Sequence, residues 1–329
     1  VVFLFRPGKA ERRVTHTFDF GAPPRPFLHK FLHPLARHSQ GIDWGSAYVR
    51  RLMQSLYPSV IVRCLMHAQL VARHAPAGYS VRCTSNADIK ESVVIVAKHL
   101  SGNQELLWKL KKRKNLLLAD IVENSLEKPA AACFDGIVCC SRKSYAYHSS
   151  APGMPAVFFV EHCADARLPQ LTEKIVAFSP YYFGAPQNFF ICESLRPLVT
   201  PVFTDSDNVA NLDWMRSLPL ANFHYAVRPV SVQASFKPFL KGITAAHCNA
   251  NILVHKDDGD AALCLGEDYP YLIREELEEK VLQRYMAKAR GDFGGREWLH
   301  GLSIMRELKE NSSEIVIARQ FWSMIKAVA

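Results

Sequence analysis

No stretch of the sequence approaches the roughly 18–20 consecutive apolar residues that a membrane-spanning helix needs. No internal short-period repeat and no low-complexity segment is present. That sets aside solenoid, fibrous and disordered classes. The sequence also lacks any CxxC pair. Its nine cysteines are scattered from Cys64 to Cys264, so a structural zinc site is not expected. Most sit in apolar runs such as Gly136-Ile137-Val138-Cys139-Cys140, where a thiol acts as a small hydrophobe. An odd, unpatterned set of thiols fits a reducing cytosol better than a secreted disulfide framework. Concentrated charge is missing too. The net charge of +9 (40 basic against 31 acidic residues) favours a phosphate-bearing partner or an anionic membrane surface. Only Lys109–Lys114 is densely basic, and mixed with Leu106, Leu107 and Leu110 it reads as a solvated helix face. Nucleic acid is therefore not an expected partner.

What is present is ample globular material. At 329 residues and 49% hydrophobic, the chain is long for one domain and supplies cores for two. Val14–Phe18 alternates like a strand, and Ser59–Met66 is an apolar run of open type. Further on, near-continuous apolar runs alternate with helical ones. Ser92–Ala97, Asn115–Val122, Gly136–Cys140 and Ala156–Val160 read as buried strands, and Asn103–Lys112 as a helix. Leu168–Thr172 reads as a linker, after which the alternation restarts. Strands are expected at Lys174–Phe178, Leu198–Phe203, Phe223–Val227 and Asn251–His255, with a loop over Tyr181–Asn188. Helices are expected at Asp260–Leu265, Arg274–Lys288, Glu297–Lys309 and Ser313–Val328. The expected fold is α/β, with two doubly wound, Rossmann-like domains facing each other across a cleft. Its parts are an irregular segment over 1–40, a first domain over 41–170, a second over 171–312, and a last helix over 313–329 packing back on the first.

Ligands of open parallel sheets bind outside the carboxyl ends of the strands, and that rule ranks the polar residues. His99, Glu123 and His162 each follow a strand of the first half. Each is either an acid–base or phosphate-binding candidate or simply the polar residue with which a strand reaches solvent. In the second half Gly184 and Arg228 follow strands. Pro238 suits the first turn of a helix, which puts Lys237 at the helix mouth and Lys241 about one turn further in. A helix N-terminus with two ammonium groups suits a diphosphate, and two lysines on a helix are equally an ordinary solvated face. The sharper expectation is that Arg228, Lys237 and Lys241 converge on one anion, with Gly184 letting backbone N–H groups approach it. Tyr182 either stacks on a base or sugar or packs a hinge. Glu267 and Asp268 either accept sugar hydroxyls or cap a helix. Gly45 and Ser46 form a glycine-bearing loop that opens a helix over Ala47–Leu56.

Several stretches, in this order, resemble those of the GT-B glycosyltransferases. They are Gly45–Arg50, Asn115–Asn124, Phe134–Ser141, Val160–Arg167, Phe183–Asn188, and Lys237–Lys241 taken with Leu265–Asp268. The resemblance, closest to the retaining-type members, covers residues 40–329. It implies transfer of a sugar from a nucleotide-activated donor to a glycan, lipid-linked or other acceptor, as in polysaccharide biosynthesis. It implies Arg228 and Lys241, with Lys237 in support, on the leaving diphosphate, and Gly184 against the same phosphates. Tyr182, Glu267 and Asp268 would meet the nucleotide or sugar. Gly45 and Ser46 would form the acceptor-side loop, and His99, Glu123 and His162 would be the catalytic candidates. No metal and no cofactor beyond the nucleotide-sugar substrate is implied. The implied setting is cytoplasmic, with peripheral contact to the inner face of a membrane. The oligomeric state is left open. One departure matters: many retaining members carry two glutamates near the donor, whereas Gly242–Asn249 contains none. Asn249 stands nearest that place. The stereochemical outcome is thereby open, and a catalytically silent subunit or glycan-binding protein is the alternative.

Overall fold

The computed structural model describes residues 12–17, 60–84, 88–97, 101–123, 125–169, 171, 176–205, 211–229 and 236–329. The chain divides into two compact units, one of Val1–Ala166 with Glu314–Ala329, the other of Arg167–Ser313.

The first unit is built on a six-stranded sheet in the order β2-β1-β3-β4-β5-β6. Its strands are β1 (Arg12–Thr17), β2 (Tyr79–Thr84), β3 (Val93–Ala97), β4 (Leu116–Val122), β5 (Gly136–Cys139) and β6 (Ala156–Phe159). All its pairings are parallel. β3 and β5 are buried along their whole length, as strands covered on both faces must be, and their unbroken apolar sequences follow from that. The run of open type forms a π-helical segment, Val60–Met66, leading into α1 (His67–Arg73). α2 (Gln104–Lys112) starts at Asn103, whose side chain accepts from Leu106 N at 3.0 Å. A short α3 (Lys128–Ala131) follows. α4 (Arg142–Ser150) starts at Ser141, which accepts from Ser144 N in the same way. Asn115, fully used inside the unit, ties three segments together. It accepts from Ser92 N and donates to the carbonyls of Ile89 and Leu110.

The second unit has a five-stranded sheet in the order β11-β10-β9-β7-β8, again all parallel. The strands are β7 (Pro180–Gly184), β8 (Thr200–Phe203), β9 (Phe223–Tyr225), β10 (Asn251–His255) and β11 (Leu272–Ile273). Several expectations change here, and of the strand expected at Lys174–Phe178 the described residues 176–178 are not strand. Tyr181–Gly184 is strand rather than loop. Leu272–Ile273 joins the sheet. The helix expected from Arg274 begins at Glu279. The helices are α5 (Leu240–His247), α6 (Ala261–Leu265), α7 (Glu279–Asp292) and α8 (Arg296–Asn311). Trp298 of α8 packs with Phe178, Phe223, Tyr271 and Phe293, and its carbonyl accepts from the Asn251 amide. A Cβ on Gly301 would lie 2.6 Å from Asn251 Oδ1, so glycine is what lets α8 approach the sheet this closely.

The last helix, α9 (Glu314–Val328), belongs to the first unit. Trp322 Nε1 donates to Val71 O at 3.1 Å, and Gln320 Oε1 accepts from Glu161 N at 2.8 Å.

Candidate functional site

In the second unit four strand and helix ends bring charge together. β7 ends at Gly184, Arg228 lies three residues beyond β9, and Asp258 lies three beyond β10. α5 begins at Leu240, two residues later than expected. Lys241 therefore sits in the first turn, where helix N–H groups are unpaired, and Lys237 lies just ahead of it. The Lys241 ammonium lies beside Gly184: a Cβ there would be 3.3 Å from Nζ and 2.7 Å from the Tyr182 hydroxyl. Arg228 forms an ion pair with Asp258 through Nη2. Gly259 holds φ +53°, and a Cβ on it would lie 2.4 Å from Lys237 O. The loop after β10 thus rests directly on the segment before α5. The structure brings Gly184, Arg228, Lys237, Lys241 and Tyr182 into one cluster.

The electrostatics of this cluster are unbalanced. Lys241 Nζ, Arg228 Nε and His224 Nε2 are all buried, without a hydrogen-bond partner among the described residues. Burial pushes the Lys241 amine down to about 8, Asp258 opposes that shift, and Arg228 and Lys237 add to it. Burial, with Lys241 nearby, takes the His224 imidazole down to about 3, so it stands neutral on β9 against the Phe183 ring. Unpaired buried donors are costly, of order 1–3 kcal/mol each. They mark a place where an acceptor is wanted.

Next to the cluster a cavity of about 430 Å³ opens at the carboxyl ends of β10 and β11, with Phe190, Pro229, His255, Lys256, Asp257 and Glu276 among its walls. Pro229 adjoins Arg228 and Asp257 adjoins Asp258, so cavity and cation cluster share two loops. His255 donates from Nε2 to Glu275 O at 3.0 Å and accepts at Nδ1 from Asp257 N at 3.2 Å. Its ring is thereby fixed as part of the wall. Glu267 and Asp268 do not line the cavity. Both are exposed, and Glu267 accepts from Arg274 Nε. Asn249 lies past the end of α5, where it accepts from Lys309. The acid in the cluster is Asp258.

In the first unit the carboxyl edge of β4 is distorted. The pairing with β5 shifts register between Asp120 and Val122, and Val122 has φ +52°, a strained value for a β-branched residue. The bulge turns the chain into Glu123, which is half-buried. Asp120 accepts from Arg63 Nε at 2.8 Å, and Arg63 Nη1 donates to Glu161 O at 3.0 Å. His162 is buried and donates from Nδ1 to Cys163 O at 3.0 Å, leaving Nε2 as an acceptor. Burial takes its ring down to about 4. His99, Gly45 and Ser46 lie outside the described residues. Among the described residues no three His, Cys, Asp or Glu side chains group as a metal site would require, and no helix is long and apolar enough to cross a membrane.

Asp258, His224 and the cavity were not singled out as site components from sequence. Asp258 had a signal, the acidic run Asp257-Asp258-Gly259-Asp260 directly after a strand. His224 sits inside an apolar strand and had none. Phe190 lies far along the chain from the other cavity walls.

No family model matches the chain, and no curated protein matches it in sequence. Its fold does match solved structures. HepE from Anabaena, in complex with UDP-glucose, is 10% identical, with 95% of this chain and 98% of that one covered and a TM-score of 0.57. A glycosyltransferase from Rickettsia africae is also 10% identical, covering 86% and 88%, at 0.53. The pneumococcal O-GlcNAc transferase GtfA, in complex with UDP and GlcNAc, is 9% identical at 0.50. The match takes in 71% of this chain and 57% of GtfA, so this chain spans little more than half the length of that enzyme. With a parallel sheet in each of its two units, the chain has the α/β fold of the GT-B glycosyltransferases.

Proposed function

We propose that the protein transfers a sugar from a nucleoside-diphosphate sugar to a glycan or lipid-linked acceptor. The observation that carries this is the buried cation cluster, in which Lys241 Nζ and Arg228 Nε lack partners beside a glycine strand end. A diphosphate supplies the missing acceptors. In this reading Lys241 and Arg228, with Lys237, stabilise charge that grows on the diphosphate as the bond from sugar C1 to phosphate oxygen breaks. Both electrons of that bond leave with the phosphate. The acceptor hydroxyl oxygen forms the new bond to C1 and gives up its proton to a base. The base is left to the catalytic candidates named from the sequence, His99, Glu123 and His162. The cavity beside the cluster suits a nucleoside, with Phe190 as an apolar wall. Side-chain cations carry the charge neutralisation in this scheme, with no metal called on.

With a CMP-linked sugar, which carries a single phosphate, as the contrast, calorimetry against UDP-, GDP- and dTDP-linked sugars tests the reading. At least one is expected to bind, and Lys241→Ala and Arg228→Ala are expected to weaken it by tenfold or more, the scale of a charge-assisted hydrogen bond. Lys112→Ala serves as the control, since Lys112 packs over Trp108 in the first unit. Equal effects from all three substitutions would reduce the site to diffuse charge. A second reading, a silent glycosyltransferase-like subunit, is favoured by the absence of glutamate over Gly242–Asn249. Slow hydrolysis of a bound donor counts against it.

A further inference from the structure

An anion site rarely carries a carboxylate of its own, yet Asp258 sits within this one. Its side chain is 8% exposed and is paired with Arg228. It is held there by the loop geometry, since Asp258 N donates to His255 O and Asp258 O accepts from Ala261 N. Gly259, directly after it, is pressed against the Lys237 carbonyl. Among the described residues, the charged groups acting on Lys241 are Asp258 after β10, Arg228 after β9, and Lys237 ahead of α5. The Tyr182 ring on β7 and His224 on β9 are its uncharged polar neighbours. Three cations and one acid therefore meet around the Lys241 ammonium, whose Nζ is closed to water while Arg228 and Lys237 stay partly exposed.

We propose that Asp258 is a positioning residue: it aims Arg228 and keeps the Lys241 ammonium charged until a diphosphate arrives, and then yields Arg228 to the phosphate. The inference rests on reading this cluster as the donor site. Its consequence is a signature with two opposite arms. A neutral side chain at position 258 removes the anion that competes with the diphosphate, which strengthens binding at low pH. It also removes the charge that counters burial at Lys241, which loses binding earlier as pH rises.

The test measures affinity for UDP-glucose and GDP-glucose between about pH 6 and about pH 9. The diester diphosphates of both probes keep constant charge over this range, and the base N–H of uracil or guanine, which begins to ionise only toward the alkaline end, does so alike for wild type and variants. Wild type is expected to weaken above about pH 8, where Lys241 loses its proton. Asp258→Asn is expected to bind about threefold tighter at the acid end. At the alkaline end it is expected to bind up to about tenfold weaker, the cost of moving a site's pKa by about one unit. The two curves then cross. Asp258→Ser is run in parallel in case the amide disturbs folding, and Asp258→Glu, which keeps the charge, is expected to retain the wild-type curve. Circular dichroism confirms that each variant is folded. Curves that run parallel, or neutral variants that keep the wild-type profile, overturn the role of Asp258 while leaving the donor site standing. Absence of binding by wild type to either probe at every pH, with no other nucleoside-diphosphate sugar of the panel bound, overturns both.

Discussion

The Lys241 ammonium lies 4.7 Å from the centre of the Tyr182 ring. The ring face offers a buried cation the partial negative charge that no carbonyl offers it here. The Tyr182 hydroxyl is spent elsewhere, donating to Ala185 O at 2.7 Å. The two functions separate by mutation. Tyr182→Phe is expected to cost about 1 kcal/mol of stability, one hydrogen bond, with sugar-nucleotide affinity near wild type. Tyr182→Leu loses the ring and is expected to lower affinity further, by the ~0.5–2 kcal/mol of a cation–π contact. Chemical denaturation and calorimetry on both variants check this. Equal affinities would show that the ring only fills space.

Gly184→Ala places a methyl group 2.7 Å from the Tyr182 hydroxyl and 3.3 Å from Lys241 Nζ. The hydroxyl is buried and fixed, so it has little room to give. A loss of about 1–3 kcal/mol in stability is expected from overpacking, with a drop in nucleotide affinity because Lys241 is pushed aside. A thermal melt combined with a UDP titration reads both.

The Arg63–Asp120 pair is almost wholly buried, at 1% and 3% side-chain exposure. Each partner also carries one unpaired atom, Arg63 Nη2 and Asp120 Oδ1. Removing one partner strands a buried charge. Asp120→Ala is expected to cost about 3–5 kcal/mol, whereas Arg63→Met with Asp120→Leu is expected to recover most of that loss. Urea unfolding of the single and double variants decides it. Additive losses would mean that the pair's charges matter less than its packing.

Acid stability follows from the histidines. Burial lowers the rings of His162 and His247 to about 4 and that of His224 to about 3, and takes His67 well down. In each case the folded value lies below the unfolded one, so the unfolded chain binds more protons below about pH 6.5. Stability is therefore full above that value and falls as pH drops toward about 4. Each histidine contributes at most about 1.4 kcal/mol per pH unit. Melting temperatures between about pH 7 and about pH 4.5 should decline, and His224→Phe should flatten part of the slope. A flat profile would contradict the burial of these rings.

The middle of the first sheet, β3 to β5, was readable because its strands are apolar and buried, as Val93–Ala97 shows. β7 was not. Its Tyr181-Tyr182-Phe183 is bracketed by proline and glycine, which read as loop signals, while pairing with β8 and β9 on either side makes it a strand. Pro180 is tolerated because it is the strand's first residue. The cluster of Gly184, Arg228, Lys237 and Lys241 could be anticipated from strand ends alone, since topology places those ends together. The acid among them was legible only as one of three in the run Asp257–Asp260, because which of them meets Arg228 depends on side-chain directions that sequence spacing leaves free. Glu267 and Asp268, between α6 and β11, are exposed.

α9 buries Ile317, Phe321 and Trp322 in the unit that begins the chain. That unit is interrupted, and the second unit is the interruption. On the ribosome, all of Arg167–Ser313 is synthesised before the residues that complete the first unit emerge. The second unit can therefore finish folding while the first still exposes the groove that α9 fills. A chain cut short by its last sixteen residues, Glu314–Ala329, would carry an intact cation cluster on a molecule whose other unit stays open. Such a product is expected to retain the unfolding transition of the second unit and to lose that of the first, which calorimetric melting of the truncated chain reads.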